Sequence, residues 1–185
     1  MKKAVFVDRD GTINTEKEYL HKISEFEFIE GVPEAIKKLN ENKFLVVIVT
    51  NQAGVARGYY QENEVELLHR HINNELKKYD AFIDKYYYCP HHPVHGIGKY
   101  KKNCDCRKPN PGMILQAAAE LGIDLNSSYM VGDKAIDVET SINAGCKPIL
   151  VLTGYGNEEK LKLNDLEKVT IYKDFGEAVD CIIKS

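Results

Sequence analysis

The sequence predicts an α/β protein with a single doubly wound, mostly parallel sheet and helices on both faces. Two observations lead to this fold class. Short apolar segments alternate along the chain with segments whose apolar residues recur at helical spacing, and this alternation is typical of parallel sheets. The length of 185 residues suits one domain, and residues 1–185 contain no internal repeat or linker.

The first half of the chain contains three predicted strands, two helices and two connecting segments. The strands are apolar or tyrosine-rich runs, at residues 4–7, 44–49 and 83–89. The helices carry apolar residues on one face, at residues 31–42 and 62–79. The polar residues 14–30 predict a flap or short hairpin, and the two glycines within residues 53–60 predict a loop that positions Arg57.

The second half begins with residues 90–110, which show no periodicity. A segment this long without regular structure is unusual in a compact domain unless something orders it. After it, Asn110 and Pro111 predict the cap and first residue of a helix that ends at Gly122. Strands and helices then alternate to the end of the chain, at residues 129–131, 136–144, 149–152, a helix after residue 156, 169–172 and 175–184.

Composition and charge argue against several classes of function. The formal net charge is −3 and no basic cluster is large enough to neutralise several phosphates of a nucleic acid. No apolar run approaches the roughly 20 residues of a membrane span, and the N-terminus lacks the apolar region of a signal peptide. We therefore expect a cytoplasmic monomer whose partner is a small molecule rather than a nucleic acid or a membrane.

Two aspartates end the first predicted strand. Asp8 and Asp10 follow an apolar run, so they lie at the sheet edge where open α/β sheets bind their ligands. Carboxylates this close repel each other unless a cation or a shared proton lies between them. A calcium loop is excluded because Gly11 is at the fourth position when Asp8 is counted as the first, whereas a calcium loop has its glycine at the sixth. A solvated acidic turn is the alternative for this motif taken alone.

Further polar residues follow other predicted strands and converge on the same edge. These residues supply a hydroxyl, an amide, two cations and a third carboxylate, from Thr50, Asn51, Arg107, Lys108 and Asp133. Three carboxylates can hold Mg²⁺, which prefers oxygen ligands. A hydroxyl, an amide and a lysine can bind the remaining oxygens of a phosphoryl group.

Cysteines and histidines crowd the segment before Lys108. Three of the five cysteines, Cys89, Cys104 and Cys106, lie in a loop that also contains histidines at positions 91, 92 and 95. In a reducing compartment this clustering favours a metal over a disulfide, and four such ligands can close a tetrahedral Zn²⁺ site. Spacing leaves His91, His92 and His95 open as the fourth ligand, and free surface thiols are the alternative.

These motifs, taken in order, resemble those of the haloacid dehalogenase superfamily over the whole chain. The matching stretches are D-R-D-G-T at 8–12, T-N at 50–51, Lys108 and G-D-K-x-x-D at 132–137. The resemblance implies that Asp8 attacks phosphorus, that Asp10 is the general acid and base, and that Mg²⁺ is held by Asp8, Asp10 and Asp133.

The same resemblance implies the other roles in the site. Thr50 and Lys108 would stabilise the transferring phosphoryl group. For Asp137 there are two alternatives. It orients Lys134 or a metal-bound water, or its side chain faces solvent. The short distance between the first two motifs implies no separate cap domain, so loops at residues 15–20, 53–60 and 89–107 would bind the substrate.

The loop before Arg107 resembles one branch of that superfamily, the heptose bisphosphate and histidinol-phosphate phosphatases. The resemblance selects His91 as the fourth ligand of a structural zinc, beside Cys89, Cys104 and Cys106. It implies Mg²⁺-dependent hydrolysis of the 7-phosphate of a heptose 1,7-bisphosphate in bacterial surface-polysaccharide synthesis. Histidinol phosphate is the alternative substrate, and an inactive zinc-bearing binding module is a remote one. The expected phosphate-binding and substrate-binding residues are Thr50, Asn51, Gln52, Arg107, Lys108, Lys134, Arg57 and Tyr19.

Overall fold

The computed structural model of the chain describes residues 1–163 and 169–184. Its centre is one six-stranded sheet in the order β3-β2-β1-β4-β5-β6, and every neighbouring pair of strands is parallel. The strands are β1 Ala4–Val7, β2 Leu45–Asn51, β3 Lys85–Cys89, β4 Tyr129–Gly132, β5 Lys147–Val151 and β6 Thr170–Tyr172. The prediction of a single, mostly parallel sheet is confirmed.

Helices connect the strands along the chain. The α-helices are α1 Val32–Glu41, α2 Ala53–Ala56, α3 Glu62–Leu76, α4 Gly112–Leu121, α5 Ala135–Ala144, α6 Gly156–Glu159 and α7 Phe175–Ile182. The flap between β1 and α1 contains a single turn of 3-10 helix at Ile23–Glu25 and an antiparallel bridge between Asn14 and Phe28. The flap therefore crosses the sheet edge just after β1, as its position in the sequence predicts.

The strand β1 is fully buried because helices cover both faces of the sheet. On one face Val5 and Val7 join a core with apolar residues of α1, α3 and α7. On the other face Ala4 and Phe6 pack in a core with residues of α4 and α5. Alternation along a strand sends successive side chains to opposite faces, so a run of four apolar residues is what a strand buried on both sides requires.

The order of the strands places a ligand site at the carboxyl end of β1. The chain builds outward from β1 to β2 and β3 on one side, and then returns to add β4, β5 and β6 on the other. The two halves diverge at β1 and β4, and in open α/β sheets this switch point opens a crevice beyond the strand ends. The residues after β1, β2 and β4 therefore face a common space.

Several predicted boundaries are wrong by one to three residues. The predicted end of the second strand, at residue 49, is wrong because Thr50 and Asn51 still pair with Tyr88 and Cys89 of β3. The prediction of a loop at residues 53–60 is wrong for its first four residues, Ala53–Ala56, which form α2. The helix expected to start at Pro111 starts at Gly112, whose N–H donates to the carbonyl of Asp105 at 2.9 Å.

The later boundaries shift in the same way. The strand predicted at 149–152 is β5, which starts two residues earlier because Lys147 pairs with Tyr129. The strand predicted from residue 83 starts at Lys85. The helix expected after residue 156 is the short α6, and part of the chain that follows, residues 164–168, lies outside the described residues. Among residues 1–163 and 169–184, no helix combines the length and the apolar character that a membrane span needs.

Candidate active site and metal-binding loop

Asp8 lies at the end of β1 against a buried lysine. The Nζ of Lys108 is 2.8 Å from Oδ1 of Asp8 and 2.6 Å from Oδ1 of Asp137. Burial lowers the pKa of Lys108, but the negative charges of Asp137 and Asp8 outweigh it, so that the pKa is raised and the ammonium group keeps its charge. One cation is therefore fixed directly beside the expected nucleophile.

Asp133, after β4, completes a buried group of carboxylates. Oxygens of Asp8, Asp133 and Asp137 all lie within 4.8 Å of one another. Burial, and then the negative charge of Asp8, raise the pKa of Asp133 to about 8. Its Oδ2 accepts a hydrogen bond from the N–H of Tyr155 at 2.9 Å, whereas its buried Oδ1 has no partner. An unpaired buried oxygen beside a second carboxylate fits the ligand set that Mg²⁺ prefers.

Two glycines hold Asp133 closely. A Cβ at Gly11 would lie 2.3 Å from Oδ2 of Asp133, and a Cβ at Gly154 would lie 2.2 Å from the same atom. Both glycines also have positive φ, at +83° and +52°, which side chains rarely adopt. The backbone at these two glycines therefore approaches the Asp133 carboxylate too closely to leave room for a side chain at either position.

The side chain of Asp10 occupies a different place from the one expected for a metal ligand. Its carboxylate accepts hydrogen bonds from Nη2 of Arg9 at 2.9 Å to both oxygens, from Nδ2 of Asn14 at 3.1 Å and from Nε2 of Gln52 at 3.2 Å. In the carboxylate group near Asp8, Asp137 stands where the sequence suggested Asp10. Three side chains, Arg9, Asn14 and Gln52, hold the Asp10 carboxylate in this orientation, and Arg9 is itself tied to the flap by its hydrogen bond to the carbonyl of Leu20.

Asp137 does not face solvent. It is fully buried, bonds Nζ of Lys108, and accepts the N–H of Lys134 at 3.1 Å. Burial raises its pKa to about 6 against the opposing charge of Lys108. Of the sequence-based alternatives, solvent exposure is wrong, and the contact with Lys134 is to its main chain rather than to its ammonium group.

The polar residues that end β2 have separate partners. The amide of Asn51 donates to the carbonyl of Lys108 at 3.2 Å and accepts its N–H at 3.1 Å, so it fixes the segment that carries the lysine. The buried Oγ1 of Thr50 accepts a hydrogen bond from Nε2 of Gln52 at 3.0 Å. The amide nitrogen of Gln52 therefore donates to both Thr50 and Asp10, and its amide oxygen accepts a hydrogen bond from the hydroxyl of Tyr60.

A cavity of about 260 Å³ opens beside Asp10. Its wall is formed by the flap, the end of β2 and the loops after β4 and β5, through Asp10, Glu16, Glu18, Tyr19, Asn51, Gln52, Ala53, Tyr60, Lys134 and Tyr155. Lys134 pairs with Glu16 at 2.9 Å and lies 4.8 Å from the ring of Tyr155. Burial raises the pKa of Glu16, although the hydrogen bond from Lys134 opposes it.

Sequence reasoning missed Arg9, Glu16, Tyr60 and Tyr155. Arg9 could have been predicted to lie near the site, because it stands between two aspartates that end the first strand. Glu16 and Tyr155 carried none, since they lie in polar segments whose side chains meet only after folding. Tyr60 lay within a segment predicted to be a loop.

The four expected zinc ligands lie together. The Sγ atom of Cys106 is 3.2 Å from the Sγ atoms of Cys89 and Cys104 and 3.5 Å from Nδ1 of His91, and Cys89 and Cys104 are 3.5 Å apart. A tetrahedral zinc with bonds near 2.3 Å has ligand-to-ligand edges of about 3.8 Å. The set of donors and its dimensions therefore fit a four-coordinate metal, and neither His92 nor His95 belongs to the group.

Two arginines lie beside this loop. Nη1 of Arg107 donates to the carbonyl of His91 at 3.0 Å, which ties the guanidinium to one of the clustered ligands. The guanidinium of Arg57 is 5.9 Å from the ring of Tyr19, and its buried Nε has no partner. Burial, then the positive charges of Arg107, His95 and Arg57, lower the pKa of His92.

Comparison with known proteins gave three kinds of match. The family model described as HAD-hydrolase-like matches residues 105–178. The chain is 49% identical over 155 residues to a D-glycero-β-D-manno-heptose-1,7-bisphosphate 7-phosphatase of Haemophilus ducreyi, covering 83% of this chain and 85% of that protein. It is 47% identical over 153 residues to the protein of the same name from Escherichia coli K12, covering 82% and 80%.

A solved structure agrees with these relatives. It is the D,D-heptose 1,7-bisphosphate phosphatase of B. bronchiseptica complexed with magnesium and phosphate, with a TM-score of 0.88, 30% identity and coverage of 98% of both chains. The likeness therefore extends over nearly the whole sheet, both sets of helices and the metal-binding loop.

Proposed function

This chain belongs to the haloacid dehalogenase family of hydrolases, and we propose that it removes the 7-phosphate of D-glycero-β-D-manno-heptose 1,7-bisphosphate through an aspartyl-phosphate on Asp8. The named activity of relatives nearly half identical to this chain supports the substrate. The observation that carries the chemistry is Asp8 held between the ammonium group of Lys108 and the carboxylate of Asp133 at the end of β1.

The first half-reaction transfers the phosphoryl group to the protein. A carboxylate oxygen of Asp8 attacks phosphorus, and the bond between phosphorus and the oxygen on C7 breaks. Asp10, which lines the adjoining cavity, gives its proton to the departing alkoxide. Lys108 and the hydroxyl of Thr50 stabilise the charge that develops on the phosphoryl oxygens.

The second half-reaction releases phosphate. Asp10, now ionised, takes a proton from a water molecule whose oxygen attacks phosphorus, and the bond to Asp8 breaks. We assign a magnesium ion to Asp8, Asp10 and Asp133, and this ion, when bound, lowers the repulsion between the anionic nucleophile and the anionic phosphate. The carboxylate of Asp10 accepts hydrogen bonds from Arg9 and Gln52, so its side chain would have to turn toward Asp8 and Asp133 to contact the ion.

The clustered cysteines and histidine are assigned to a structural zinc. With Cys89, His91, Cys104 and Cys106 all binding, no position remains for substrate or water, so the zinc orders the loop rather than reacting. Its effect on the substrate runs through Arg107, which bonds the carbonyl of His91. We assign Arg107, with Arg57 nearby, to the phosphate on the anomeric carbon, because a guanidinium binds a phosphate through paired N–H groups.

Replacing Cys106 by serine is expected to remove the zinc. Metal analysis of the purified wild-type protein should find about one zinc ion per chain, and the Cys106→Ser variant should lose most of it and melt at a lower temperature. Cys146→Ser is the matched control, because Cys146 is a buried thiol outside the loop. Equal zinc in both variants would overturn the assignment.

Arg107→Ala is expected to damage the use of the bisphosphate selectively. We expect kcat/KM for the heptose bisphosphate to fall by about 100-fold, because a charged hydrogen bond to phosphate is worth about 1.5–3 kcal/mol. The value for histidinol phosphate should hardly change. Arg70→Ala, an exposed arginine on α3, is the control that removes a guanidinium elsewhere.

A substrate panel tests the proposed function itself. Phosphate release would be followed, with and without Mg²⁺, from both anomers of the heptose bisphosphate, from histidinol phosphate and from other sugar phosphates. Glu16 and Glu18 on the cavity wall are the feature that a cationic substrate would use, but Lys134 already pairs with Glu16. Faster turnover of histidinol phosphate than of the β-anomer would reject the heptose assignment.

A further inference from the structure

The Asp10 carboxylate is held by hydrogen-bond donors on two sides. Arg9 approaches from the β1 side, with Nη2 at 2.9 Å from each oxygen and Nε at 3.2 Å from Oδ1. Gln52 approaches from the end of β2, with Nε2 at 3.2 Å from Oδ2. Arg9 is fully buried and Gln52 is 2% exposed, so neither side chain is free to move into solvent.

The amide of Gln52 can keep only one orientation. Its Oε1 accepts a hydrogen bond from the hydroxyl of Tyr60 at 2.7 Å, and its Nε2 donates to Oγ1 of Thr50 at 3.0 Å as well as to Asp10. Burial raises the pKa of Tyr60, so its hydroxyl keeps the proton that it donates. A reversed amide would place Oε1 against the Asp10 carboxylate, where two acceptors repel each other.

Tyr60 is itself fixed by its surroundings. The ring is 5% exposed and stacks on His21 of the flap, with centroids 4.7 Å apart and planes 15° apart. A Cβ at Gly54 would lie 2.1 Å from Cε1 of Tyr60, so the backbone of α2 also packs closely against the ring. The packing of the ring therefore fixes the position from which the Tyr60 hydroxyl bonds Gln52.

We propose that Gln52 and Tyr60 are positioning residues for Asp10, and that Gln52 serves the general acid rather than the phosphate. This inference rests on the proposed function, in which Asp10 protonates the sugar oxygen. The amide N–H of Gln52 donates a hydrogen bond to the Asp10 carboxylate. The hydroxyl of Tyr60 donates to the amide oxygen of Gln52 and so keeps the amide nitrogen facing Asp10. The same amide hydrogen bond to Oγ1 of Thr50 leaves the hydroxyl proton of Thr50 free to donate to the phosphoryl group.

The nature of the leaving group separates this role from general damage. A sugar alkoxide cannot leave without a proton, so its transfer to Asp8 needs a well-placed Asp10. Nitrophenolate leaves as a stable anion and needs no acid. A variant that disturbs the hydrogen bonds of Asp10 while Mg²⁺ still binds should therefore lose kcat/KM on the sugar phosphate and keep it on p-nitrophenyl phosphate, whereas loss of Mg²⁺ or damage to Asp8, Thr50 or Lys108 lowers both.

The experiment compares Gln52→Met, Tyr60→Phe and the double variant on both substrates in the full-length protein. For Gln52→Met we expect kcat on the heptose bisphosphate to fall about tenfold with KM within twofold, and kcat/KM on p-nitrophenyl phosphate to stay within threefold. Tyr60→Phe should cost about threefold on the sugar phosphate alone. In the Gln52→Met background, Tyr60→Phe should add nothing, because Tyr60 acts through Gln52.

Controls make each outcome decisive. Tyr88→Phe removes a hydroxyl that bonds Glu62 instead, and it should leave both substrates unaffected. If wild-type turnover of p-nitrophenyl phosphate is too slow, acetyl phosphate takes its place, because acetate also leaves unprotonated. Equal losses on both substrates, additive effects in the double variant, or no loss on the sugar phosphate would overturn the positioning role. If Gln52→Met does not fold, Tyr60→Phe alone decides by the same comparison.

Failure of the proposed function would be visible separately. An Asp10→Asn variant that keeps full activity on the heptose bisphosphate would show that Asp10 is not the acid, and the positioning role would fall with it. If Asp10→Asn is inactive on the sugar phosphate while Gln52→Met has wild-type rates, the acid assignment stands and the positioning role alone is rejected.

Discussion

Replacing Asp8 by asparagine is expected to lower phosphate release by about 10⁴-fold, because the amide cannot attack phosphorus and no other carboxylate lies in its place. The same change should not destabilise the fold. Asp8, Asp133 and Asp137 lie together in a buried region where the three carboxylates outnumber the two neighbouring cations, Lys108 and Lys134, so removing one negative charge reduces repulsion.

The stability effect has a defined dependence on pH. The folded-state pKa of Asp133 is raised to about 8, so the ionised carboxylate costs stability above its ordinary pKa, near 4, and the cost grows up to about pH 8. In chelator, Asp8→Asn should therefore melt at or above the wild-type temperature at pH 8, with a smaller difference at pH 5. Adding Mg²⁺ should favour the wild type more than the variant.

Two assays check the Asp8 prediction. Phosphate release from the heptose bisphosphate measures the loss of activity, and thermal melts with chelator or Mg²⁺ measure stability. Asp84→Asn is a suitable control, since Asp84 is a half-buried carboxylate at the start of β3 and far from the reaction. Residual activity above about 1% of wild type would reject Asp8 as the nucleophile.

Lys108→Met is expected to damage both activity and stability. Two buried carboxylates, Asp8 and Asp137, would lose their shared cation, and breaking a buried ion pair from one side costs about 3–5 kcal/mol. The phosphoryl group would also lose a fixed positive charge, so kcat should fall by about 10³-fold. This variant and Asp8→Asn should therefore be alike in activity and opposite in stability.

The sign of the pH effect follows from the carboxylates left behind. Without Lys108 the pKa of Asp137, which burial already raises, rises further, so the stability loss is largest above pH 7 and shrinks toward pH 5, where protonation removes the charge. Denaturant unfolding at pH 5 and pH 8 measures this difference. Lys38→Met removes a lysine from an exposed pair with Asp180 and should change little. A loss for Lys108→Met that does not depend on pH would contradict the role of the ion pair.

The sequence predicts the position of a site residue well where the geometry of the sheet sets that position, and poorly where contacts between distant residues set it. Asp8, Lys108 and Asp133 follow parallel strands and Thr50 lies in the last two residues of one, and the geometry of the sheet brings such residues together. The clustering of Cys89, Cys104 and Cys106 was equally visible, because few structures gather that many thiols in one loop.

The rest depends on contacts that have no local pattern. The pair of Lys134 with Glu16 joins residues 118 positions apart, and the flap that carries Glu16 has no periodicity from which to place it. The orientation of Asp10 was missed because it is decided by competition among Arg9, Asn14 and Gln52 for one carboxylate. The sequence shows which hydrogen-bond donors are present, but it does not show which of them bind the Asp10 carboxylate.

The bond from Arg107 to the carbonyl of His91 has a consequence for how such enzymes diversify. Asp8 and Asp133 stand at strand ends that cannot shift without breaking the sheet, and Asn51 of β2 fixes the backbone of Lys108, whereas the guanidinium of Arg107 is held by the loop that the four proposed zinc ligands close. A change of loop length or sequence between those ligands can move the guanidinium without altering strand register. Substrate range and turnover are therefore open to separate selection, and laboratory libraries confined to residues 92–103, which lie between His91 and Cys104, should reach new substrates at little cost in catalytic power.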